Sequence, residues 1–224
     1  MTHIERDPSP RLTPSIPKEF QWPTTQRYKC PTISLPRRQS FLQVVENRRS
    51  IRNFGKISIR ELANYIAFSV SPRLVGIGPR ENQSLRLSLS AGALHPVDVV
   101  LVPRGARRIM RYNPKENQLD SLKIVNGDYL CRFLKKSAEV LPDTQGSFIV
   151  LVGDLRKVSN LYENPSSLLW RDAGALLQTL ALTAEAFRIS FCPMGILGHE
   201  ILPAIDANNG QLCAVGAACI GRQF

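Results

Sequence analysis

The 224-residue chain has few of the residues from which metal and disulfide sites are built. Its five cysteines, Cys30, Cys131, Cys192, Cys213 and Cys219, form no CxxC pair and are odd in number. That argues against a zinc ribbon or a disulfide framework, and reduced thiols fit the cytoplasmic location expected here. The three histidines, His3, His95 and His199, are dispersed with no HExxH among them, so no metal site is read. No GxGxxG follows a strand-like run and no Walker sequence is present, which sets aside the typical dinucleotide and P-loop folds. Long hydrophobic runs are missing too, and the opening MTHIERDPSPRLTPSIPKEF has no apolar h-region of a secretory signal. No membrane partner is expected, and no internal repeat is found.

Acid is also in short supply. Eighteen Asp and Glu stand against 29 Lys and Arg, a net charge of +11, which favours anionic partners such as phosphates, nucleic acid, acidic proteins or anionic lipid. The basic residues are scattered, with short clusters at Arg37-Arg38, Arg48-Arg49-Ser50-Ile51-Arg52, Arg107-Arg108 and Lys135-Lys136. No C₂H₂ spacing or RNA-recognition signature accompanies them, so nucleic acid has no motif behind it. The plain alternative is a basic surface.

Proline is abundant in one place. Residues 1–40 hold seven of the sixteen prolines, and Phe20, Trp22 and Tyr28 sit among them. Proline at this density dictates extended, irregular chain. Three aromatics have little use in a solvated tail, so the segment is read either as packed on the body or a second subunit, or as a loose terminus.

Beyond it the patterning becomes regular. SFLQVVEN reads as a helix capped by Ser40. Ser58 and Glu61 form a capping box for a helix through about Ser69. Residues 71–88 read as mixed loop, and Ser88 to Pro96 as a small-residue loop. VDVVLV over 97–102 and SFIVLV over 147–152 are buried strands, with a strand–turn–strand between them at 109–122. Tyr129 to Glu139 reads as a helix. After Ser166 or Ser167, which could cap a helix, Ala173, Leu176, Leu177, Leu180, Ala181, Ala184 and Phe187 recur at helical spacing with Ala175 and Leu182 opposite, so a helix apolar nearly all round, a central one buried by its neighbours, is expected. It runs into Cys192-Pro193-Met194-Gly195, read as a loop with exposed N–H groups, and AVGAACI closes as a strand. The order implies an α+β, three-layer arrangement, a small, mostly antiparallel sheet wrapped by helices.

Three stretches could carry chemistry. Arg48-Arg49-Ser50-Ile51-Arg52 gathers guanidiniums and a hydroxyl into a compact anion trap, or else is a solvated basic turn. Ser90-Ala91-Gly92-Ala93-Leu94-His95-Pro96 lets a flat ligand approach the backbone, or is a tight entry to a strand. Cys192 to Gly198 could offer N–H groups to a cofactor ring, or is a plain loop. A thiol nucleophile at Cys192 has no base near it in sequence.

Taken in order, these stretches resemble the nitroreductase-like flavoprotein superfamily, and more closely its SagB-type dehydrogenase branch, which includes the azoline oxidases of thiazole/oxazole peptide biosynthesis. NRRSIRNF looks like the Arg-Arg-Ser-x-Arg-x-Phe segment that holds the FMN phosphate and ribityl chain in that family. SAGALHPVDVVLV is similar to the Ser-Ala-Gly-Ala-x-His-Pro loop that lies against the flavin. RYNPKENQL resembles its hairpin, RDAGALLQTLALTAEAF its dimer-building helix, and FCPMGILG the loop facing the reactive edge of the isoalloxazine. Arg222 stands where a basic residue often lies near the phosphate. The likeness covers about residues 40–222.

The resemblance implies a nitroreductase-like fold in an intertwined homodimer, with two FMN sites built from both subunits. It divides the chain into a proline-rich N-terminal arm, 1–39, and an FMN-binding domain, 40–224. By the same likeness, cofactor contacts fall to Arg48, Arg49, Ser50, Arg52, Ser90, Ala91, Gly92, Leu94, His95, Pro193, Met194, Gly195, Ile196 and Arg222. Tyr162 becomes the candidate catalytic residue. The implied activity is an FMN-dependent oxidoreductase acting by two-electron, ping-pong exchange on a peptide or small metabolite, with NAD(P)H as a candidate co-substrate. The azoline oxidases carry Lys-Tyr before the long helix, where this chain has Leu161-Tyr162. The alternative is therefore a flavin-binding or flavin-less partner subunit of a larger biosynthetic enzyme, reached through the N-terminal arm.

Overall fold

A computed structural model describes residues 6–15, 19–36, 39–81, 83–207 and 210–223. Arg37, Arg38, His3 and Pro17 lie outside the described residues. In chain order the elements are β1 (Ser9–Pro10), β2 (Thr24–Lys29), α1 (Phe41–Asn47), α2 (Ile59–Val70), β3 (Leu74–Val75) and β4 (Ser84–Leu85). Then come β5 (Val97–Val102), β6 (Ile109–Asn113), β7 (Gln118–Leu122), α3 (Gly127–Val140), β8 (Ser147–Asp154), α4 (Leu155–Ser159) and β9 (Tyr162–Glu163). The chain closes with α5 (Ser166–Phe187), β10 (Ile189–Met194), α6 (Ile201–Ala204) and β11 (Leu212–Arg222).

The main sheet has seven strands in the order β10-β11-β8-β5-β6-β7-β2, antiparallel throughout. Alternation along β5 shows why both of its faces are apolar. Val99 and Leu101 pack with α2 and α5 on one face, while Val100 and Val102 pack with α3 and α6 on the other. The outcome is helices on both sides of a buried sheet, the nitroreductase-like three-layer fold. The exception in β5 is Asp98, a carboxylate 8% exposed within an otherwise apolar strand.

Both expected capping boxes form. Ser40 caps α1 with Gln43 reaching back, and Ser58 caps α2 with Glu61 reaching back, each stabilising its helix by about 1 kcal/mol. The long helix differs from expectation at its start and along one side. Pro165 is the N-cap with no side-chain bond to the helix, and Ser166 is already helical. Trp170, Gly174 and Gln178, at successive four-residue spacings, form an exposed stripe in the single chain, so α5 is not covered all round. Part of the proline-rich segment lies on the body. β2 forms the edge of the main sheet against β7, and Phe20 and Trp22 pack on the α3 side of the core. Residues 71–88, read as loop, hold the short β3–β4 hairpin.

Candidate functional site

The site residues expected from sequence fall into two groups. The first gathers at the β10 edge of the sheet. Cys192 to Met194, expected as loop, is the end of strand β10. Proline is tolerated there because β10 is an edge strand and Pro193 need not donate to a neighbour. Ile51 N–H donates to Phe191 O at 3.2 Å, so the backbone of Phe191 faces away from β11. Alternation then turns the Met194 backbone toward β11 and Pro193 outward, and Gly195 follows the end of the strand. Gly195 is exposed, and a side chain there would meet nothing within 4 Å.

Beside this edge runs Arg48 to Arg52. Arg49 folds back on the end of α1, donating from Nη1 to Glu46 O at 2.5 Å and Arg48 O at 2.9 Å. No carboxylate pairs with Arg48, Arg49 or Arg52 among the described residues. Arg222 joins them through reciprocal backbone bonds with Gly55, 2.9 and 3.1 Å. Gly221 permits that approach, since a Cβ on it would stand 2.5 Å from Gly55 O. The Arg222 side chain is already taken, with Nη2 2.7 Å and Nε 2.9 Å from Glu61 Oε1. Cys192 is buried, burial pushes its thiol pKa up against the opposing charge of Arg52, and Sγ donates to Pro193 O at 3.3 Å. It is not an activated thiol.

The second group stands at the other end. Ser90 to His95 precedes β5, three strand spacings from β10, roughly 14 Å across the sheet. Val97 lies opposite Gly153, which lies opposite Cys213, and the rest of β11 to Arg222 runs roughly 30 Å. One copy therefore does not bring the loop to the cationic edge. The loop is held by Asp172 of α5, which sequence reasoning missed. Ser90 Oγ donates to Asp172 Oδ2 at 2.5 Å, Ala91 N–H donates to Oδ1 at 3.1 Å, and His95 N–H donates to Ser90 Oγ at 2.8 Å. These bonds offset backbone strain, since Ala93 and His95 take φ of 55° and 46° without being glycine. Gly92, at φ 58°, lies against Tyr162, whose hydroxyl would be 3.1 Å from a Cβ there. Tyr162 is half-buried and sits in β9, paired with Pro10 of β1. Leu94 turns into the core.

The His95 ring leaves the loop on its far side, with Nε2 2.8 Å from Ser84 O. Burial, with help from Arg86 and Lys157, pushes its pKa down to about 4. Burial also raises the Asp172 pKa, against the hydrogen bonds from Ser90 and Ala91. Next to His95 lies a charged network that sequence also missed. Arg111 bridges Asp98 at 2.8 Å and Asp120 at 3.6 Å, and its guanidinium stands 5.1 Å over the Trp22 ring. The sequence signal was there: Asp98 and Asp172 are carboxylates at apolar-phase positions of a strand and a helix.

What the first group can do is bind an anion and a flat acceptor together. Guanidiniums without carboxylate partners suit a phosphate, and the exposed, uncrowded backbone at Gly195 leaves room for a flat ring beside it. The residues present fit FMN. Among the described residues no group of His, Cys, Asp and Glu could hold a metal ion, and no helix is long and apolar enough to cross a membrane.

No family model and no curated protein matches the chain. Solved structures do. A candidate nitroreductase of Ralstonia eutropha JMP134 superposes with a TM-score of 0.65 at 14% identity, over 98% of this chain and 99% of that one. One chain of the Escherichia coli microcin synthetase McbBCD complex, with truncated pro-MccB17 bound, gives 0.56 at 16% identity over 80% and 72%. A candidate nitroreductase of Desulfovibrio desulfuricans in complex with FMN gives 0.51 at 17% over 83% and 87%. These likenesses establish the fold as nitroreductase-like.

Proposed function

We propose that the chain is an FMN-dependent oxidoreductase of the SagB-type dehydrogenase branch, working as a homodimer in which each flavin site is shared. Arg48, Arg49, Ser50 and Arg52 of one copy would hold the phosphate, beside Pro193, Met194, Gly195 and Ile196, and Arg222 would join them by exchanging its Glu61 ion pair for the phosphate. Ser90, Ala91, Gly92, Leu94 and His95 of the other copy close the site, with Tyr162. The observation that carries this reading is the separation of the two groups within one chain, each with its own supporting bonds. Exposed apolar surface is available for the second copy, including Phe41 at 72% and Trp170 at 48% exposure, more than an isolated chain has use for.

When bound, FMN supplies two-electron transfer between a donor and an acceptor. The chain's own part is placement and charge. The guanidiniums would neutralise the phosphate, and the backbone around Gly195 would stabilise negative charge on a ring edge. Asp172 fixes the loop so that its backbone forms a firm wall. The Tyr162 hydroxyl, beside Gly92, is placed to hold or pass a proton to a peptide or small-metabolite substrate, with NAD(P)H as the candidate electron donor. Leu161, in place of the branch's lysine, points away from azoline oxidation. It also supports a second reading, a flavin-binding or flavin-less partner subunit of a larger biosynthetic enzyme.

The test is the flavin spectrum of the purified protein between 300 and 600 nm, followed by heat release. A yellow protein that releases FMN, and whose R48A/R52A variant is colourless, supports the reading. A colourless protein that takes up no added FMN favours the partner subunit, and full occupancy in R48A/R52A removes the phosphate assignment.

A further inference from the structure

A second place to bind a ligand lies apart from the cationic edge. Between the proline-rich segment and the β5–β7 part of the sheet is a cleft of about 600 Å³, within the usual range for small-molecule sites. Most of its inner charges answer one another. Arg111 is matched by Asp98 and Asp120, Lys157 lies 3.9 Å from Asp98, and Lys115 pairs with Glu19.

One inner cation is left over. Arg86 lines the cleft half-buried and donates from Nε to Ser84 Oγ at 3.1 Å. Its two terminal nitrogens have no partner among the described residues, and no carboxylate lies within ion-pair distance. Burial draws its pKa below the ordinary value, with Asp98 opposing. A guanidinium in this setting is completed by a carboxylate, which accepts two parallel N–H bonds.

His95 supplies the second contact. A carbonyl only accepts, so the Nε2 beside Ser84 O carries the hydrogen. The ring is neutral near pH 7, since its pKa is held at about 4. Nδ1 keeps a lone pair with no donor to it among the described residues. Leu94 and Trp22 add apolar wall.

We propose that this cleft binds a small 2-hydroxy or 2-amino carboxylic acid, its carboxylate on Arg86 and its O–H or N–H on His95 Nδ1. His95 and Leu94 are shared with the flavin loop, by their backbone there and their side chains here, while Arg86, Trp22 and the rest of the cleft belong to neither group of flavin residues, so the inference rests on the flavin reading only in that FMN must leave the His95 ring free.

The experiment is calorimetric titration of the full-length protein, without and with added FMN, using lactate, mandelate and alanine as probes. Propionate and phenylacetate, which lack the α-donor, and inorganic phosphate are the comparison probes. The expected result is saturable binding, one per chain, of at least one of the three acids, tenfold or more weaker for its counterpart without the donor. R86Q should weaken it tenfold or more, R86K should weaken it less, and FMN should leave it unchanged. R86K, which keeps the charge and loses the fork, carries the test if R86Q does not fold. No saturable binding of any of the three, undiminished binding by the Arg86 variants, binding of phosphate alone, or displacement by FMN would overturn the proposal.

Discussion

The two ends of this molecule treat charge in opposite ways. At the β10 edge, Arg48, Arg49 and Arg52 have no carboxylate partner among the described residues, and Gly195 borders open space. Around β5, β6 and β7, cations and anions lie mostly buried and answer each other, Arg111 with Asp98 and Asp120, and the loop before β5 is tied to Asp172. The difference teaches how the protein divides its work. A buried charge must be matched inside the chain or it destabilises the fold. An exposed cation has no such obligation and is free to meet an external anion. The matched charges of the closed end therefore report on stability, and the unmatched cations of the open edge on binding, and substitutions should separate the two.

The largest stability effect is expected from R111M. It removes the cation from between two carboxylates that are 8% and 5% exposed, which should cost about 3–5 kcal/mol in denaturant unfolding. A loss below about 1 kcal/mol would mean the network is solvated and the contrast between the ends is weaker than described.

Next is a pH effect at His95. Its folded pKa of about 4 lies below the ordinary 6.5, so the unfolded chain takes up a proton first as pH falls. This contribution is fully present above pH 6.5 and is lost as pH drops toward 4, on the order of 3 kcal/mol in all. H95Q should flatten that part of the stability profile, and an unchanged profile would contradict the buried neutral ring.

D172A comes third. It strips acceptors from Ser90 Oγ and Ala91 N–H and should destabilise by about 2 kcal/mol. Burial raises the Asp172 pKa, so wild type should lose some stability as pH rises from 3.8 through the folded value. D172N should lack that decline, as compared by thermal melts across pH 3–7.

The smallest stability effect belongs to R48A/R52A. Removing Arg52, exposed, and Arg48, half-buried, neither paired with a carboxylate among the described residues, should change unfolding by less than about 0.5 kcal/mol, while abolishing flavin uptake. A large unfolding effect with flavin retained would invert the proposed division.

Much of the fold was legible because its signals are local. The serine caps at Ser40 and Ser58, the apolar run VDVVLV and the helical spacing from Ala173 to Phe187 each depend on a few adjacent residues. The strand identity of Cys192–Met194 was hidden by Pro193, since only the three-dimensional neighbours show that this proline faces a free edge. Likewise nothing local tells that Thr24–Lys29 completes the sheet, because its partner β7 lies some ninety residues away. For the site, the motifs named the residues but not their distribution. That Arg52 and Ser90 lie at different ends follows from strand order, which a linear pattern does not contain. Asp98, Arg111 and Asp172 escaped notice because each reads singly as an interruption, and only their pairing gives them a purpose.

In the proposed dimer the two groups of residues meet across two copies of the chain. The direct test is to co-express two defective variants carrying different purification tags. One is R48A/R52A, broken at the cationic edge. The other is G92V, broken in the loop, where a side chain would meet both the positive φ and the Tyr162 hydroxyl. Each variant alone should bind no flavin. In the doubly tagged heterodimer one site joins two intact halves, so flavin should return at about one per dimer. A doubly tagged heterodimer that stays colourless, or two tags that never co-purify, would contradict the claim.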